Sequence, residues 1–271
     1  MPRTLPELLA PLDEVLVRDA NRAAVANSAG AGAARLVARL PVVHRTAKPA
    51  KGAPDDREAR WTDIFAEQRI EAGEVKTAAE RENGFHRAVY LFFGCGPFPE
   101  RPVAIILPAE PFLDATVTFT PFDSGALDDP PLLIPVEETA PWAAADRARF
   151  LGEHLGSGAD LRAFAGPCLA AHFRDPLDYV RRPQQEQPDF PPYHGLHDDR
   201  RSWTLEMQVH DDVDLGAASP LRVVVRDESL FMDLKPFYFD PVRVAGGDVD
   251  RDDGVGAAVA DEIVALIAGV A

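Results

Sequence analysis

The chain has 271 residues, 46% hydrophobic and 27% charged, enough to bury a core in one large domain or two small ones and too apolar for wholesale disorder. Its 44 acidic against 28 basic residues leave a formal charge of −16, a field that repels phosphate and so disfavours extensive binding of nucleic acid or of an anionic membrane. Two cysteines, Cys95 and Cys168, cannot build a disulfide framework or a four-cysteine metal site.

The first residues, MPRTLPELLAPLDEV, lack the basic segment, apolar core and cleavage site of a secretory signal. No apolar run approaches the ~20 residues needed to span a bilayer. This reading places the protein in the cytoplasm, and the Ala-, Arg-, Asp-, Gly- and Pro-rich usage suggests a bacterial genome of high G+C content. Thr4-Leu5-Pro6-Glu7 has the form of a capping box, and Leu8, Leu9, Leu12, Val15 and Leu16 follow it at helical spacing. The stretch from Ala23 to Leu40 is alanine-rich and broken by Gly30 and Gly32, so 1–44 reads as a helical N-terminal segment. Residues 45–60, RTAKPAKGAPDDREAR, contain no large apolar side chain and read as a linker or exposed loop ahead of a main body spanning 61–271. Helical spacing resumes through Trp61, Ile64, Phe65 and Gln68, then the charged EAGEVKTAAEREN leads into a strand.

From residue 85 the pattern turns to short β-type runs: FHRAVYLFF (85–93), PVAIILP (102–108), ATVTFTPFD (115–123), SWTLEMQVH (202–210), LRVVVRD (221–227) and KPFYFDPVRV (235–244). Two helices, Trp142 to Leu155 and Asp160 to Phe173, separate the early runs from the late ones, and GAAVADEIVALIAGV closes the chain as an amphipathic helix. Strands on either side of an inserted helical pair imply a single α+β domain. Its sheet is expected to be mainly antiparallel or split, flanked by N-terminal helices and a C-terminal helix.

Alternation sorts the polar side chains by face. His86 and Tyr90 share one face of the first strand with Ala88 and Phe92, the better candidate for a cleft wall. Arg87 lies on the apolar face with Val89, Leu91 and Phe93 and needs a carboxylate or an edge to explain it. Thr116, Thr118 and Thr120 line one face of the third run, which ends in the turn Asp123-Ser124-Gly125. In the fourth run Thr204, Glu206, Gln208 and His210 oppose Trp203, Leu205, Met207 and Val209. A mid-strand glutamate is solvated, paired or used, and a water-facing sheet surface is its ordinary setting. His194, His197, Asp198 and Asp199 form a loop cluster of metal-ligand types with irregular spacing, and no metal is assigned to it. Cys168, on a helical stretch, reads as a small buried hydrophobe.

A first strand bearing His86 and Arg87, a middle strand ending in Thr-Pro-Phe-Asp-Ser-Gly and a late strand bearing Glu206 resemble, in that order, the polar triad of ADP-ribosyltransferase-like domains. The resemblance implies NAD as substrate, with His86 or Arg87 holding its ribose and phosphates, Ser124 or Thr120 supporting the nicotinamide end, and Glu206 polarising the ribose hydroxyl. Glu206 and His86 would then be the catalytic residues, and Arg87, Tyr90, Thr120 and Ser124 the NAD contacts. The target would be a small molecule or an intracellular protein. Another reading is a non-catalytic binding or interaction protein, in which Glu206 is solvated and the proline-rich loops make the contacts. A third is a metal-dependent hydrolase using His194 and His197.

Overall fold

The computed structural model describes residues 2–18, 36–45, 64–75, 77–96, 103–128, 142–172, 176–181, 200–225, 242–243 and 254–269. Thr4 precedes helix α1 (Leu5–Arg18) and makes the Glu7 half of the expected box: its N–H and Oγ1–H both donate to Glu7 Oε2, at 2.8 and 2.6 Å. A second box, not anticipated from the sequence, opens α2 (Ala78–Glu82). Thr77 Oγ1 accepts from Glu80 N–H at 3.1 Å, while the Glu80 carboxyl receives the Thr77 N–H and hydroxyl. The inserted helical pair forms as α3 (Ala144–Glu153) and α4 (Leu161–His172), followed by the short α5 (Pro176–Arg181). The C-terminal helix is α6 (Gly254–Ala268).

Eleven strands occur among the described residues: β1 (Val42–Arg45), β2 (Arg69–Ile70), β3 (Gly73–Glu74), β4 (Arg87–Phe93), β5 (Val103–Leu107), β6 (Thr118–Thr120), β7 (Gly156–Ser157), β8 (Glu206–Val209), β9 (Val213–Asp214), β10 (Arg222–Val225) and β11 (Val242–Arg243). The main sheet runs β11-β10-β5-β1-β4-β8-β6-β7, with β3 on β4, and β2 pairs separately with β9. Every pairing is antiparallel except that of β10 with β11. The protein is thus an α+β fold on a mainly antiparallel sheet, as its strand and helix order implied.

Two local expectations are corrected. Residues 42–45, assigned to a helical segment and the start of a linker, form β1 between β4 and β5, and Arg45 is 1% exposed. A strand covered on both faces does not alternate, so VVHR carried no period-two signal. The run 115–123 yields only three strand residues, because Asp114 accepts the Thr116 N–H at 2.7 Å and holds 114–117 in a turn. The run 235–244 is described only at 242–243, and the linker residues 46–60 and the cluster His194–Asp199 lie outside the described residues.

Both faces of the sheet centre are covered. Leu91, Met207 and Phe119 stand side by side on one face, where Phe119 meets Phe164 of α4 with ring centroids 5.2 Å apart, and α4 in turn packs on α1. On the other side α2 packs against α3, with Asn83 Nδ2 donating to the Ala148 carbonyl at 2.8 Å. The C-terminal α6 lies against β5, β10 and α5. No described helix is long and apolar enough to cross a membrane.

Candidate functional site

The register of three adjacent strands builds the site. Tyr90, Gln208 and Thr118 stand in one row across β4, β8 and β6, and Phe92, Glu206 and Thr120 in the next. In antiparallel pairs, residues directly opposite share a face. The polar alternation of β6 and of β8 therefore lands on the same side of the sheet. Beneath it lie Glu80, offered by the first turn of α2, and Ser124, which follows β6. Asp123 caps that turn by accepting from the Gly125 N–H at 2.9 Å.

These groups form one connected hydrogen-bond network. Glu206 Oε1 receives the Ser124 N–H at 3.1 Å and Gln208 Nε2–H at 2.9 Å. Ser124 Oγ lies 2.6 Å from Glu206 Oε1 and 2.7 Å from Glu80 Oε1, and the Tyr90 hydroxyl donates to Glu80 Oε1 at 2.8 Å. Gln208 also donates to Thr120 Oγ1 at 3.0 Å, and Thr120 passes its own hydrogen to the Phe122 carbonyl. On the other side Thr118 Oγ1 donates to Gln208 Oε1 at 3.0 Å and contacts His210 Nε2 at 2.9 Å. An amide oxygen only accepts, so the single Thr118 hydrogen goes to Gln208, and Thr118 Oγ1 meets His210 Nε2 with a lone pair.

Burial sets the electrostatics. Glu206 is 2% exposed and Glu80 1%, whereas Tyr90 and His210 are half-buried and form the solvent side of the network. Burial first, then the charge of Asp123, pushes the Glu206 carboxyl well above the usual glutamate range, against the opposing hydrogen bond of Ser124. Burial and the Glu80 and Glu206 charges raise the Tyr90 phenol, and burial lowers the His210 imidazolium.

Compared with known proteins, the chain matches no family model, no curated protein and no solved structure. The site is therefore read from its own geometry.

Of the residues singled out in the sequence, Glu206, Ser124 and Tyr90 join the network directly and Thr120 joins through Gln208. His86 and Arg87 do not. His86 precedes β4 and is exposed. Arg87 sits at the outer end of β4, five residues from the position opposite Glu206, roughly 17 Å along an extended strand. Its guanidinium donates twice to the Ala72 carbonyl, at 3.0 and 2.7 Å, and lies 3.7 Å from Asp212. That edge contact is the partner its place on an apolar face required. The expectation that Glu206 faces water is overturned, because α2 and the Ser124 turn cover the face that alternation left open.

Two members were missed. Glu80 was readable in Thr77-Ala78-Ala79-Glu80, a capping box that bends the glutamate back over the start of its helix. Gln208 was visible on the face of Glu206, yet nothing in the sequence marked it as the residue that holds the carboxyl. Cys168 and Cys95 are buried, and burial pushes each thiol up to about 12, which leaves neither a nucleophile. No group of three or more His, Cys, Asp or Glu side chains among the described residues is disposed to hold a metal.

Proposed function

We propose that the chain is a glycosyl-transfer enzyme of ADP-ribosyltransferase or glycohydrolase type, with Glu206 as its catalytic carboxyl and NAD as the first substrate to test. The observation that carries this reading is the meeting of Glu206 and Ser124, the third and second members of the resembled triad, with Tyr90 of the first strand joined to them through Glu80. The fit to NAD is partial: His86 and Arg87, which the resemblance assigned to ribose and phosphate, stand away from Glu206, so no pyrophosphate contact is assigned.

The chemistry follows from the carboxyl pair. An electron-poor sugar carbon beside Glu80 and Glu206 gains from negative charge held in a low-dielectric site. The bond from that carbon to its leaving nitrogen breaks with the electron pair going to nitrogen. Water or an acceptor hydroxyl then adds its oxygen to the carbon and gives up its proton to a carboxylate. Ser124 and Gln208 hold Glu206 in place, and substrate would enter past Tyr90 and His210.

The test is nicotinamide release from NAD by the full chain beside its Glu206→Gln variant. A loss of roughly 100-fold or more is expected for a residue acting as acid or base. No release by the wild type, or equal release by both, overturns the proposal. A second reading, a non-catalytic binding or interaction protein, is favoured by the closure of the network on itself, which would serve to pin the register of β4, β8 and β6. Absence of turnover, together with no shift in thermal midpoint across a panel of nucleotides and sugars, would select it.

A further inference from the structure

We propose that Glu80 and Glu206 hold one proton between them through the Ser124 hydroxyl, and that Glu80 is thereby the positioning residue that keeps Glu206 in its acid form. Ser124 Oγ carries one hydrogen, yet carboxyl oxygens stand on two sides of it, at 2.7 Å from Glu80 and 2.6 Å from Glu206. One contact uses the serine hydrogen; the other brings two oxygens to hydrogen-bond distance and needs a second proton between them. The remaining donors do not supply it. Tyr90 and Thr77 donate to Glu80, and Gln208 and the Ser124 N–H to Glu206, each along its own line.

Among the described residues no arginine or lysine side chain bonds to either carboxyl. Arg81 donates to the Val75 carbonyl, Arg87 to the Ala72 carbonyl, and Arg147 lies against Asp128. Among the described residues, the titratable groups that face the pair are Tyr90 from β4, Asp123 from the turn after β6, and His210 at the far end of the Gln208–Thr118 chain. Asp123 adds negative charge beside Glu206 and, with Glu80, disfavours its ionisation. Both carboxyls are buried, and it is Glu206, beside the Asp123 charge, whose carboxyl is held well above the usual glutamate range, which favours the proton on its side of the pair.

The sharing needs no substrate and stands if the glycosyl chemistry fails; only its consequence for catalysis rests on that reading. The test is a pH titration, by carbon-13 NMR, of the full chain labelled at its glutamate carboxyls, without ligand. One glutamate is expected to stay protonated near pH 7, where an ordinary glutamate is ionised. Glu206→Gln should remove that resonance, and Glu80→Gln should weaken the proton binding of Glu206 at least tenfold. A wild-type spectrum with no protonated glutamate near neutrality overturns the proposal without recourse to any variant. So does a protonated resonance that persists unchanged in both variants. Nicotinamide release plays no part in this readout, so its failure and that of the proposed function are told apart.

Discussion

Replacing Glu206 with glutamine keeps the shape of the side chain and removes its ionisation, and the two consequences differ in their pH dependence. Glu206 Oε1 takes N–H donors from Ser124 and Gln208 and also meets Ser124 Oγ. A carboxamide oxygen there accepts the two N–H groups but has no hydrogen to return to the serine; its nitrogen there would face two donors. The substitution therefore loses a buried hydrogen bond, at a pH-independent cost of about 1–3 kcal/mol. Against this stands the cost of keeping the native carboxyl protonated. Its folded pKa is raised, so below the unfolded value of about 4.3 both states are neutral and no penalty arises. Above it the unfolded state ionises and the folded state does not, and wild-type stability falls by up to about 1.4 kcal/mol per pH unit until the folded value is reached. Glutamine has no such slope. The variant should be less stable than the wild type at about pH 5 and should gain on it steadily towards pH 8. Urea unfolding of both proteins at a series of pH values reads this directly, and the slopes due to His154 and His210 cancel in the difference. A difference that stays constant with pH would refute the reasoning.

Two further substitutions test the frame around the site. Tyr179, fully buried, donates to the Phe93 carbonyl at 2.6 Å and accepts from the Leu205 N–H at 3.2 Å and the Cys95 thiol at 3.3 Å. Tyr179→Phe leaves a buried carbonyl and amide without that partner and should cost about 2–4 kcal/mol in urea unfolding; a loss below about 0.5 kcal/mol would show that these groups find others. A Cβ on Gly158 would stand 2.7 and 2.8 Å from the Asp114 and Phe112 carbonyl oxygens, while its N–H is held by the Val117 carbonyl at 2.7 Å. Gly158→Ala should therefore cost about 1–3 kcal/mol. Gly73→Ala, whose Cβ meets nothing within 4 Å, serves as the control and should change stability by less than about 0.5 kcal/mol.

The parts of the fold readable in advance have short-range causes. Thr4 and Glu7 start α1 because box partners three residues apart satisfy each other's neighbourhood. Alternation in TLEMQVH and TVTFT sorted Glu206, Gln208, Thr118 and Thr120 onto polar faces, and the strand register put those faces on one side. What covers a face is a different question. Antiparallel sheets with one wet face are common, so alternation alone makes water the ordinary neighbour of a polar row, whereas α2 and the Ser124 turn bury this one. The reading of β1 failed for the complementary reason: a strand buried on both sides shows only a short apolar run beside a charged segment.

By itself the sequence determined the acidic surface, the α+β class, the capped first helix, the Asx turn at Asp123 and the partition of each strand into faces. All of these depend on composition or on residues within a turn or two of one another. Only the tertiary structure decided which carboxyls meet. Ser124 lies 44 residues from Glu80 and 82 from Glu206 in the chain, and no local preference links them. Their contact is set by the pairing of β4, β8 and β6 and by the packing of α2 over that sheet. The same packing removes water from Glu206, and that removal pushes its carboxyl well above the usual glutamate range.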